Sequence, residues 1–291
     1  MSHRYHGQSR TRDGLSLVFA FFFALSLLAI GALVALRVSV FSEAGFRSVF
    51  SERYYEAVLD EATNEARYFT QPTGIDPSVV DGVFVVDEVH DDVSAYIGTQ
   101  FGGLPYSPGF EGPRARLKAN AERAMGDYTP SGDAAAFGTR DEIVAAYVDD
   151  IMGVYQSCIE IPGMGALMDV RALFMRYFWI ALAVFVGLAG VLGVSIRRLH
   201  HHKHRALRFV AYGCGGAALM SIAVPLALYA SGFYRGLSVS PEYFYLLCTG
   251  LISHVLLACV AAGVVWLLLM AVTIVCVGRL RKTAIKSHHS R

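Results

Sequence analysis

An all-α fold is predicted, with four membrane-crossing helices and a helical domain inserted between the first and the second. Three observations predict it. The chain contains four long apolar runs; all but two of its carboxylates fall between the first and second of them; and that intervening segment is patterned with a helical period. Of its 291 residues, 54% are apolar and only 17% charged, with a mean hydropathy of +0.44. A soluble chain carries about 25% charged residues, so the deficit belongs to a membrane composition.

The net charge of +1 conceals two opposite populations. Residues 41–172 hold 22 acidic and 9 basic side chains, whereas the remainder holds two acids, Asp13 and Glu242, and 16 bases. A segment so rich in carboxylates repels phosphate backbones, which excludes nucleic acid as its partner.

Residues 1–14 form a basic head, "MSHRYHGQSRTRDG". The first span is assigned to 15–40, built on the uncharged run Leu15–Leu36. At 1.5 Å per residue such a run crosses a ~30 Å hydrocarbon layer. A cleaved signal peptide is the competing reading. The length of the run and the three later spans favour a retained anchor.

The second span is assigned to 173–196, the third to 206–230 and the fourth to 244–278. Pro225 lies inside the third, where a proline bends a membrane helix without forbidding it. The fourth is longer than a bilayer requires, so it tilts or projects. A basic loop, 197–205, separates spans two and three; residues 231–243 join three to four; and a basic tail, 279–291, follows. With four spans the head, loop and tail share one side. The positive-inside rule makes that side cytoplasmic, so both termini are expected there and segment 41–172 outside. The expected location is the cell membrane.

Within 41–172 the signals are helical. Ser51 stands as an N-cap before "ERYYEAVLDEATNEARYF", whose Tyr55, Val58, Leu59, Ala62 and Ala66 make an apolar stripe. Asp76–Pro77 suits the start of a short helix. Asp87 is the expected cap of the next helix, which Gly102 and Gly103 end. A loop rich in Gly and Pro precedes a helix expected over Arg114–Met125. Thr139 and Glu142 make a capping box ahead of another periodic face. The run "PGMGALMDVRALF" is expected to continue as helix into the second span, and "VFVV" is the one hint of a strand.

Chemistry-bearing residues are few. "RRLHHHKHR", Arg197–Arg205, contains four of the ten histidines, but adjacent imidazoles cannot converge on one ion and cations flank them. A solvated cytoplasmic turn is the favoured reading, with contact to anionic lipid headgroups as an accompanying role. His90, amid Asp87, Glu88, Asp91 and Asp92, offers a cation site or an acid–base pair; a solvated acidic helix end is favoured over either. His254 lies in the fourth run, near the expected outer boundary. With Glu242 or Asp169 assisting, it would be the acid or base of an enzyme at the membrane edge. Packing is favoured over that role too. No Asp, Glu, Lys or Arg lies near the centre of a span, which disfavours a proton-coupled transporter. The small-residue runs "GLAGVLG" and "GCGGAA" read as close-contact helix surfaces. The cysteines form no CxxC pattern. No metal or cofactor is expected.

The layout resembles that of integral membrane proteins of Gram-positive bacteria with one N-terminal span, a helical extracytoplasmic region and three closely spaced spans. The features that carry the resemblance are "SERYYEAVLDEA", "GIDPSVVDGVF" and the run through "DVRALF". The resemblance implies architecture and carries over no catalytic residue. The expected function is therefore that of a binding, sensory or structural envelope component acting through the outside domain. Membrane lipids and another envelope or membrane protein are its expected partners. The alternative is an enzyme acting on lipid-linked substrates.

Overall fold

Nine α-helices account for most of the described chain: α1 (His3–Ser39), α2 (Glu43–Arg47), α3 (Glu52–Thr70), α4 (Val86–Gly102), α5 (Glu111–Met125), α6 (Arg140–Ile159), α7 (Met164–Leu199), α8 (Lys203–Ser231) and α9 (Glu242–His289). The structure, a computed structural model, describes residues 3–126, 139–200 and 203–289. It is 86% helical, with no strands among the described residues. Short 3-10 turns cover Gln71–Thr73, Pro77–Val80 and Phe233–Gly236. Four stretches are long and apolar enough to cross a membrane: Gly14–Ser39, Met164–Leu199, His204–Gly236 and Glu242–Arg279. Pro225 sits inside α8, and the helix continues through it.

The chain divides into two units. One comprises residues 1–42, 171–236 and 251–291, and holds most of the four apolar helices. Its tightest pairing is α1 with α8, where Ala24 and Leu27 meet Cys214 and Ala217. Small side chains let these backbones approach, so packing replaces the hydrophobic drive that lipid cannot supply. Gly213 is the closest point: a Cβ there would lie 2.5 Å from the Phe23 ring and 3.1 Å from the Ala20 carbonyl oxygen. Gly263 of α9 similarly abuts Ser221 and Ile222 of α8.

The start of α1 meets the end of α7, where Ser16 and His200 are 2.9 Å apart and both buried. The His200 ring stacks on Phe209 of α8 at 5.0 Å. At the other end of α1, Arg37 lies over the rings of Phe178 and Trp179 in α7, and Arg171 Nε donates to the Phe41 carbonyl at 3.1 Å. Helices α1 and α7 therefore run antiparallel.

The second unit comprises Glu43–Val170 and Leu237–Gly250. Helix α3 packs on α6 and α4, and α5 on α6. Its buried side chains include Tyr54, Val58, Val80, Val89, Ile97, Leu117, Ile151 and Tyr155. Phe84 stacks flat on Tyr155 at 4.6 Å, and Phe110 meets the same ring edge-on at 4.8 Å.

Local expectations and local structure differ at four places. The buried stripe of α3 is Tyr54, Val58, Ala62, Ala66 and Thr70, a strict i, i+4 row that leaves Tyr55 and Leu59 half-exposed. Ser51 occupies the N-cap position without a side-chain cap bond. Helix α4 is capped by Val85 rather than Asp87, which falls in the first turn beside Glu88 and faces the positive end of the helix dipole. "VFVV" forms no strand: Val80 and Val83 are tied by a turn bond, and both are buried.

Candidate functional site

An open cleft of about 1190 Å³ lies in the 43–170 unit, at the ends of α3 and α5 and the start of α6. Its walls follow from local sequence. Helix α3 ends at Thr70, and Gly74 adopts a left-handed φ of 75°, which turns the chain back. Asp76 then caps the 3-10 turn Pro77–Val80, its carboxylate accepting from the Ser78 N–H at 2.9 Å. Asn120 of α5 donates to the Val79 carbonyl at 2.9 Å, tying that turn to α5. Arg67 pairs with Asp81 at 2.7 Å.

The α6 wall begins with the capping box. Glu142 N–H donates to Thr139 Oγ1, and Thr139 N–H donates back to the Glu142 carboxylate at 2.6 Å. One turn on, Tyr147 shares a 2.8 Å hydrogen bond with the buried Thr70 hydroxyl and closes the base of the cleft. Above it lie apolar groups that the fold leaves open: Phe69, 41% exposed, with half-buried Ile75, Met125 and Ile143.

The rim is acidic. Asp76, Asp81, Glu142 and Asp150 stand against Arg123, the one base among the lining residues. Hydrogen bonds from Ser78, backbone first, hold the Asp76 carboxyl below the ordinary carboxylate range; those from Thr139 do the same for Glu142. Both caps thus keep their charge. Apolar side chains and carboxylates lining one cleft suit the binding of an amphipathic ligand.

A second acidic group surrounds α4. Glu88, Asp91, Asp92 and Glu111 border a hollow of about 150 Å³ beside Phe110, whose φ of 46° is left-handed. Two of these carboxylates are engaged within the fold. Glu88 pairs with Arg116, and Asp92 accepts from Tyr155 Oη at 2.8 Å. Burial raises the Asp92 carboxyl, partly offset by the Tyr155 bond. His90 packs edge-on against Tyr55 at 4.7 Å and lies 3.3 Å from Asp91. Among the described residues no group of three or more His, Cys, Asp or Glu is placed to hold a metal ion.

The residues of the enzyme alternative lie as follows. Glu242 opens α9 and pairs with Arg53 of α3 at 2.9 Å. Asp169 is exposed on α7, and His254 is half-buried on α9. Twelve residues of helix separate Glu242 from His254, about 18 Å along the axis. Burial pushes the Cys158 thiol up to about 11, which leaves it protonated at neutral pH. Of "RRLHHHKHR", His200 is a packed member of the α1–α7–α8 contact, while His201 and His202 lie outside the described residues.

The cleft was not legible as a site in the sequence. Its two caps, Asp76 and Thr139–Glu142, were legible as helix starts. No local signal brings Phe69, Ile75 and Ile143 together.

The fold and cleft define an α-helical protein with four helices able to cross a membrane and a helical unit inserted mainly between the first two. Comparison with protein-family models, curated proteins and solved structures finds no match.

Proposed function

We propose that this is a multi-pass cell-membrane protein with both termini in the cytoplasm, whose helical unit lies outside and binds another envelope component. The topology rests on charge: the head, the 197–205 loop and the tail are basic, while segment 41–172 carries 22 of the 24 carboxylates. The binding role rests on one observation, the open cleft in which Phe69 is exposed and Ile143 only half-buried. Membrane lipid is the partner of the four apolar helices.

A photo-crosslinking residue placed at Ala146, exposed within the cleft, tests the role in intact cells. The expected result is a discrete adduct at Ala146 and none at Asn64, which is exposed on α3 and does not line the cleft. Identical patterns at the two positions would refute the cleft as the binding surface. Labelling from outside with a membrane-impermeant reagent at a cysteine introduced at Asn64, but not at one introduced at Ser290, is the expected topology result.

A further inference from the structure

The chemistry of the cleft selects its occupant, an inference that rests on the binding role proposed above. Its volume of about 1190 Å³ exceeds the roughly 300–1,000 Å³ of small-molecule pockets, which leaves room for a segment of polypeptide. The floor offers Phe69, Ile75, Met125 and Ile143 to apolar side chains. The rim offers carboxylates with unequal freedom. Asp76 and Glu142 are committed as caps but stay ionised, Asp81 shares its charge with Arg67, and Asp150 is exposed. Arg123, the one lining base, is occupied by the Asn120 side chain and the Ala119 carbonyl. The whole 41–172 segment, with 22 acids against 9 bases, adds a field that draws cations and repels anions.

We infer that the cleft binds a cationic amphipathic peptide segment, its apolar face on Phe69 and Ile143 and its Lys or Arg side chains towards Asp150 and Asp81. Anionic peptides and phosphate-bearing polymers are excluded by the same rim. Charge complementarity governs the rate of encounter and its salt dependence, while the apolar floor governs residence.

The test uses the full chain in nanodiscs of phosphatidylcholine, whose zwitterionic surface gives a cationic peptide little electrostatic attraction. The probe is a fluorescent Lys/Leu amphipathic helix of about 14 residues, roughly 21 Å long, read by anisotropy against empty nanodiscs. Saturable binding that weakens with salt is expected, and no saturable binding is expected from the Glu/Leu counterpart. Ala146→Trp, at an exposed position and so compatible with folding, fills the cleft and should weaken binding at least about ten-fold. Asp150→Asn with Asp81→Asn should weaken it by about three-fold or more and flatten the salt dependence. Equal affinity for the Glu/Leu peptide, or Ala146→Trp binding like the wild type, overturns the inference. Absence of Lys/Leu binding together with a crosslinked adduct at Ala146 in cells rejects the occupant while sparing the binding role. Absence of both rejects the two together.

Discussion

Replacing Gly213 by alanine tests the close approach of α1 and α8. A Cβ at that position would stand 2.5 Å from the Phe23 ring and 3.1 Å from the Ala20 carbonyl oxygen. Ordinary contact is about 3.5–4 Å, so the ring edge must move by about 1 Å and the α1 and α8 backbones must part by a few tenths. Phe23 is only half-buried and can give way; the Ala20 backbone cannot. Overpacking of this kind costs about 1–3 kcal/mol. Alanine also gains about 1 kcal/mol of helix propensity over glycine, which would mask part of that cost. Gly190 of α7 supplies the reference, because nothing lies within 4 Å of its added Cβ and the residue is exposed. Both variants share the propensity gain, so their difference isolates the steric cost. Unfolding of the detergent-solubilised full chain by titration with dodecyl sulfate, followed by circular dichroism, gives both values. Gly213→Ala should be less stable than Gly190→Ala by about 1–3 kcal/mol. A difference below about 0.5 kcal/mol would refute the close α1–α8 packing.

Two further outcomes are expected. Burial raises the Asp92 carboxyl above its ordinary 3.8, so the folded state binds that proton more tightly than the unfolded chain. The wild type therefore gains stability from this site as pH falls through the raised value, and loses that gain above it. Asp92→Asn keeps an acceptor for Tyr155 without the charge; its thermal stability relative to wild type should be highest near pH 7 and shrink towards pH 4. An advantage that grew on acidification would contradict the burial argument. At the other end of the chain, a double-mutant cycle of Ser16→Ala and His200→Ala should show a coupling of about 1 kcal/mol, as a buried hydrogen bond gives. Strict additivity would mean that the 2.9 Å contact contributes nothing.

Much of the architecture was legible because its signals are local. A run such as Leu15–Leu36 declares a membrane helix through length and lack of charge alone, and Thr139–Glu142 declares a helix start through reciprocal hydrogen bonds three residues apart. Where a cue depended on the neighbours, reading failed. Asp87 is as good a cap by residue type as any, yet α4 begins earlier and places it in the first turn. Tyr54 and Tyr55 both fit a helical stripe, and only tertiary packing, which brings Tyr243 to 6.2 Å from the Tyr54 ring, selects Tyr54 for burial. His254 stood out in the sequence as an ionisable group in an apolar run, but its depth and surroundings are tertiary properties. Glu242, its expected helper, is paired with Arg53, which lies 189 residues away in the chain.

The sequence by itself determined the helical class, the four apolar helices and the separation of acidic from basic segments. Each of these follows from hydrophobic period, length or charge along a continuous stretch. Tertiary structure alone decided that Phe69, Ile75, Met125 and Ile143 share one open cleft under Asp76, Asp81, Glu142 and Asp150. It also decided that His200, within the most chemical-looking string of the chain, is a buried clip to Ser16. Both depend on contacts between residues far apart in the chain. A sequence period records which face of a helix is apolar but not which other face will meet it, or which will be left uncovered.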